Sequence, residues 1–279
     1  MPDVQTKSIL ITGCSSGIGL EAALHLKSLG FAVVASARKT NDVSRLKALG
    51  INAVYIDAMD LASVESGLER ALSIVGGRFY GCYHNCGYGQ SGALEDLPSV
   101  ALLEQFHANV IGAHEINRRL IGLMRQVASG RIVFNSSVLG LMAMRFRGAY
   151  AMSKFAMEAM ADTLRLELSG SGVHVSLIEP GPISTNFRRN SLAAFNRYID
   201  AEKSVHANDY KRFIERLTKT GNTSRFTLPP GACLPPLIDA LTSSNPKARY
   251  PVTVPTKLVS VLKRVMPTFM LDRLAYKNI

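Results

Sequence analysis

Apolar runs of strand length alternate with helix-patterned stretches over the first two thirds of the chain. The runs are SILITG (8–13), FAVVASA (31–37), NAVYIDA (52–58), FYGCYHNC (79–86), GRIVFNSS (130–137) and VHVSLIEP (173–180). Between them, residues 20–29, 42–49, 61–75, 99–127 and 150–169 carry apolar positions at helical spacing with few breakers. Strands spaced by helices imply βαβ units, hence an α/β fold with a mostly parallel sheet covered on both faces. The pattern breaks after Pro182. Residues 184–230 are polar, basic and resist assignment, and short helical pieces with proline-marked turns follow. A connection this long is usually functional, and a substrate lid over 188–230 is the expectation.

Composition narrows the class. The chain has 279 residues, 47% hydrophobic and 19% charged, enough for one large α/β domain or two small ones. It has no apolar run long enough to span a membrane and no secretory pattern at its start, so a cytoplasmic location is expected. Cys14, Cys82, Cys86 and Cys233 form no CxxC pair, which suits reduced thiols and no metal site. The formal charge of +11 is uneven: residues 188–279 hold 16 Lys/Arg against 6 Asp/Glu, nearly the whole excess. Such a basic tail suits either an anionic partner or a solvated surface.

ITGCSSGIG (11–19) ends the first strand and opens the first helix. Gly13, Gly17 and Gly19 allow a tight turn and close approach to a pyrophosphate, with Ser15, Ser16 and Ile18 filling the loop. The helix N-terminus supplies free N–H groups for phosphate. The second strand ends in Ala37-Arg38-Lys39, where an NAD site usually has an acid. Arg38 there favours a 2′-phosphate, hence NADP(H), over a merely solvated arginine. Further on, GAYAMSK (148–154) places Tyr150 four residues before Lys154 on one helical face. In a cleft, the ammonium would draw the phenol pKa down from ~10 and make it a usable proton donor.

TGCSSGIG (12–19), NSS (135–137), YAMSK (150–154) and EPGPIST (179–185) occur in that order. Together they resemble the classical short-chain dehydrogenase/reductase family over residues 7–187. RFTLPP (225–230) and RYPVT (249–253) resemble its branch of bacterial NADP-dependent aldehyde reductases, retinol dehydrogenases and 17β-hydroxysteroid dehydrogenases. The resemblance implies a single Rossmann domain over 1–279, doubly wound, with the lid at 188–230 and a C-terminal extension at 231–279. It implies Tyr150 as acid/base, Lys154 as its pKa-lowering and ribose-binding partner, and Ser137 as donor to the substrate oxygen. Asn109 would hold a proton-relay water. Asp57 would bind near the adenine, Asn85 and Gly87 beside the adenosine ribose. Pro180, Gly181 and Ile183 would seat the nicotinamide amide, and Thr185 would touch the diphosphate. HNCG (84–87) departs from the family's usual NNAG: His84 reads as a structural residue and Cys86 as a small hydrophobe.

The expected activity is NADPH-dependent reduction of a carbonyl, a hydrophobic aldehyde first. A retinol- or steroid-type alcohol dehydrogenase and a non-catalytic NADP(H)-binding sensor are the alternatives. Phe187, Leu192, Phe195, Tyr198, Tyr210, Phe213, Met142, Met144 and Phe146 either line the substrate pocket or pack the lid. No nucleic-acid motif accompanies the basic residues. The resemblance implies a dimer or tetramer through helices packed on the sheet. Residues 256–274 put Leu258, Val261, Leu262 and Val265 on one side of a basic segment interrupted at Pro267. That segment suits an anionic membrane surface or, preferred, a cover for the pocket or a subunit interface.

Overall fold

The computed structural model describes residues 7–219, 221 and 224–276. Seven strands, β1 (Ser8–Ile11), β2 (Ala32–Ala37), β3 (Asn52–Tyr55), β4 (Gly81–His84), β5 (Gly130–Asn135), β6 (Val173–Glu179) and β7 (Arg249–Pro251), form one sheet in the order β3-β2-β1-β4-β5-β6-β7. Every pairing is parallel. Helices α1 (Gly17–Ser28), α2 (Thr40–Ala48), α3 (Leu61–Ile74), α4 (Ser99–Phe106), α5 (Gly112–Arg125) and α6 (Gly148–Glu167) make the crossovers. After β6 come α7 (Phe187–Tyr198), α8 (Ala207–Thr218) and α9 (Leu234–Thr242), and after β7 come α10 (Val254–Val265) and α11 (Thr268–Tyr276).

The strands read apolar without alternation because both faces are covered. Leu10 and Val34 point into a core with α3, α5 and α6, whereas their neighbours Ile9, Ile11, Val33 and Ala35 point into a second core with α1 and α9. Period-two geometry thus divides one apolar run between two layers. Burial of each such side chain is worth about 1.5–3 kcal/mol, which outweighs the weak intrinsic preference of any short strand. Strand order reverses between β1 and β4, so the loops after them diverge and leave a crevice at their carboxyl ends.

The six expected strands and five expected helices are all present, with three differences. The 99–127 stretch is not one helix: a π-helical segment, His107–Ile111, interrupts it. RYPVT supplies a seventh strand, too short for a periodicity signal and buried only through Tyr250. The unassigned 184–230 stretch folds as α7 and α8 around a core of its own, with Phe195, Tyr210 and Phe213 packed on Phe146. Tyr210 anchors it, accepting from the Ala93 amide at 2.8 Å and donating to Asp96. These side chains therefore pack the lid and do not line a pocket. The break at Pro267 falls as expected, between α10 and α11.

Candidate active site

The crevice beyond the strand ends is a cleft of about 420 Å³. Its walls include Gly13, Ser15, Ser16, Gly17, Ile18, Arg38, Asp57, Asn85, Gly87, Tyr150, Lys154 and Thr185. Residues from six separate stretches of sequence thus meet in one place. Gly19, Asn109, Ser137, Pro180, Gly181 and Ile183 stand behind or beside those walls, and their contacts show what each does.

At the loop after β1, Gly13 has φ +72° and a Cβ there would come 2.7 Å from the Cys86 Cα. Gly17, at φ +59°, lies against Thr185, whose methyl a Cβ would meet at 3.1 Å. Gly19 packs the helix against the Asn85 side chain. That side chain donates to the carbonyls of Thr12 (3.1 Å) and Gly13 (3.0 Å) and accepts from the Asn135 amide (3.0 Å), tying the loop to β5. Ser16 caps α1 with its backbone alone, and the first turn carries no acid. The opening N–H groups and the positive end of the helix dipole are therefore left for an anion. Arg38 is exposed at the end of β2, and Asp57 orients its own turn by accepting from the Met59 amide (3.0 Å). A buried acceptor, Asn135 Oδ1, faces no donor among the described residues. Glycine cradle, uncapped helix and cationic rim fit a phosphorylated dinucleotide.

The other end of the cleft holds the reactive side chains. Ser137 lies beside Tyr150, where its hydroxyl favours the ionised phenol, and Ser137 Oγ accepts from the Leu139 amide at 3.1 Å. Lys154 Nζ donates to the Asn135 carbonyl at 2.7 Å and lies 5.6 Å from the Tyr150 ring centroid. Asn109 is fully buried, and its amide donates to the Tyr88 carbonyl (3.1 Å) and to Ser153 (2.9 Å), one residue before Lys154. Its side chain thereby braces α6, and both amide protons are committed. The turn at 180–185 is strapped on both sides. The Pro180 carbonyl accepts from Val138 (2.8 Å), Gly181 is pressed on Thr253, and Ile183 bridges to Leu228.

The expected depression of the Tyr150 pKa is not present. Burial pushes the phenol up to about 12, and the Ser137 hydroxyl and the charge of Arg147 offset only part of that. Lys154 is itself pushed down to about 8 by burial, with Cys86 and Glu158 working the other way. Desolvation wins because both groups are enclosed and the ammonium is turned toward the Asn135 carbonyl. Tyr150 is therefore protonated at neutral pH, the form a proton donor needs.

His84 is structural, as its position suggested. Its ring is buried, stacks on Phe134 at 4.9 Å, pairs with Asn117 at 2.8 Å, and is held down to about 4 by burial. Phe187, one of the residues expected at the pocket or in the lid, lies against Tyr150. One feature escaped the sequence. Behind Ser136, Glu158 accepts the serine hydroxyl, and Arg249 spans Glu158 (3.2 Å), Asp162 (2.6 Å) and Glu179 (3.3 Å). The available signal was the repeat Tyr150, Lys154, Glu158 at four-residue steps on α6.

The profile of the family described as short chain dehydrogenase matches residues 7–195. The uncharacterized oxidoreductase YbbO of Escherichia coli strain K12 is 42% identical over 271 residues, covering 97% of this chain and 94% of that protein. The NADPH-dependent 3-dehydrocapnine reductase of Ornithobacterium rhinotracheale is 29% identical over 279 residues, covering 97% and 96%. Among solved structures, a short chain dehydrogenase/reductase from Burkholderia phymatum in complex with NAD has a TM-score of 0.78 at 23% identity, covering 99% of this chain and 97% of that one.

Proposed function

The chain belongs to the short-chain dehydrogenase family, and we propose that it is an NADPH-dependent reductase that turns a hydrophobic aldehyde into its alcohol. It is an oxidoreductase of the carbonyl/alcohol kind that uses a nicotinamide cofactor. The observation that carries the finer reading is the meeting of Arg38, Tyr150 and Lys154 on the walls of one cleft, with the phenol protonated.

When bound, the dihydronicotinamide supplies the hydride. The protein's part is to hold and discharge the carbonyl oxygen. Ser137 and Tyr150 present two hydroxyl donors from adjacent elements, the arrangement that stabilises growing negative charge. Tyr150 gives its proton to that oxygen, a contribution of about 10²–10⁴-fold in general acid catalysis. Lys154, charged below about 8, lowers the cost of the resulting phenolate. Asn109 keeps α6 in register through Ser153. Arg38 would receive the 2′-phosphate, Thr185 and the α1 N-terminus the diphosphate, and Asp57 the adenosine side.

Met142, Met144 and Phe187 pack beside Tyr150 and make the substrate end apolar, which supports a hydrophobic substrate. Exposed Met152, Phe155 and Leu166 on α6 support the expected homo-oligomer through that helix. The test is consumption of NADPH and NADH with aldehydes of increasing chain length, retinal and a steroid ketone. Turnover that requires NADPH and rises with aldehyde length supports the proposal. Equal use of NADH, or turnover restricted to the steroid, overturns it.

A further inference from the structure

α10 carries its apolar stripe on the wrong side for a packed helix. Val254, Leu258, Val261 and Val265 follow one another at steps of four, three and four residues, and all are 56–72% exposed. Those steps place them on one face. The opposite side holds the helix on the protein through buried Thr256, which bonds Thr253 at 3.0 Å, and through packing on β7 and the turn Val138–Gly140. Phe269, 71% exposed at the start of α11, adds a further unburied aromatic ring. An isolated exposed apolar residue needs no account, but a continuous row of them does.

Lys257 and Arg264 border the row on one side, while Lys263, on the same side as Thr256, turns back toward the protein. Lys257, Lys263, Arg264 and Arg273 stand against one acid, Asp272, over residues 254–276. Among the described residues, Lys257, Lys263 and Arg264 enter no salt bridge, while Lys263 lies over the ring of half-exposed Phe155 at 4.6 Å. No residue of the segment lines the cleft. A second copy of the chain is poorly matched, because a two-fold contact through this face would set its cations against themselves. An exposed apolar row with Lys257 and Arg264 beside it, on a segment of net positive charge, is the complement of acyl chains beneath anionic headgroups.

We propose that α10 and the start of α11 dock the protein on an anionic lipid membrane. The same helix packs on Val138–Gly140, directly after Ser137, so docking brings the substrate end of the cleft to the lipid surface. A hydrophobic aldehyde partitioned into that surface would then have a short path to Tyr150. This last consequence rests on the proposed activity, whereas membrane binding does not.

The experiment is flotation of the full-length protein with phosphatidylcholine vesicles, with and without phosphatidylglycerol, at low and high ionic strength. The wild type is expected to float only with the anionic vesicles and to be released by salt. Leu258→Glu/Val261→Glu is expected to lose about tenfold or more of the bound fraction. Both positions are exposed, so the fold and turnover of a water-soluble aldehyde should be unchanged. Wild-type protein that stays at the bottom of the gradient with both vesicles overturns the proposal. So does a concentration-dependent dimer that these substitutions dissolve, since that would identify a second copy as the occupant. Either result leaves the activity reading intact, because flotation does not depend on turnover.

Discussion

The ring of Phe187 lies across that of Tyr150, with centroids 5.1 Å apart and planes inclined at 58°. The segment after β6 thus touches Tyr150, the proton donor we propose, at the first residue of α7. On its other side the same ring abuts Gly89, where a Cβ would collide with it. Phe187→Ala should therefore enlarge the substrate end and weaken apolar recognition. We expect KM for a long-chain aldehyde to rise about tenfold with a smaller change in kcat, as loss of uniform binding requires. Steady-state kinetics across a chain-length series would check this, and an unchanged KM would remove Phe187 from the substrate wall.

Tyr150→Phe deletes one hydroxyl at the cleft wall. Turnover should fall by about 10²–10⁴-fold, the usual worth of a general acid. NADPH affinity, followed by the fluorescence of the bound nucleotide, should stay within about twofold because the phosphate contacts lie elsewhere. Wild-type kcat in the variant would refute the assigned role.

The pH profile should report Lys154 before Tyr150. The ammonium is held down to about 8 and the phenol up to about 12. Carbonyl reduction should fall as pH rises through about 8, where Lys154 loses its proton, while Tyr150 still carries its own. Lys154→Arg keeps the charge at all accessible pH. It should move that alkaline limb upward even if the rate is lower. A limb that does not move would assign it to another group.

Arg38, exposed on the cleft wall at the end of β2, is where the proposed reading separates the two cofactors. A charge-assisted hydrogen bond is worth about 1.5–3 kcal/mol, so Arg38→Ala should raise KM for NADPH by about 10–100-fold and leave NADH nearly unaffected. Loss of both in parallel would mean that Arg38 supports the loop and does not read the phosphate.

Arg249 binds three carboxylates, two of them on α6 and one, Glu179, at the end of β6. Its removal leaves buried acids uncompensated, and Arg249→Met should cost about 3 kcal/mol in denaturant unfolding. Glu179 is raised to about 7 by burial and the nearby Glu158. Its folded pKa lies above the ordinary glutamate value of 4.5, so the stability it contributes is present below 4.5 and is lost as pH rises through about 7. Glu179→Gln should flatten the fall in melting temperature over that window. An equally steep fall in the variant would place the titration elsewhere.

How much of this was legible in sequence depended on the range of the interaction. β1, α1 and the glycine loop are local: an apolar run, three glycines and an N-terminal helix turn specify one another within a dozen residues. Tyr150 and Lys154 share a face because helical spacing requires it. The same spacing suggested a depressed phenol, and there it failed. The pKa is set by how completely the fold encloses the pair and by where Lys154 points, and neither is written in a four-residue interval. α7 and α8 were opaque because their apolar residues serve a small core built with Phe146 and Ala93, far away in sequence. The Arg249 network was hidden for the same reason, since it joins β7 to α6 across 91 residues of sequence. The α10 stripe was visible as a pattern, but only tertiary structure could decide its role, since a helical period says which residues lie together and never which side meets water. By itself the sequence determined the order of strands and helices, the phosphate loop and the reactive set. Packing decided their protonation, the lid that covers them and the face left exposed, because burial is a property of the whole chain.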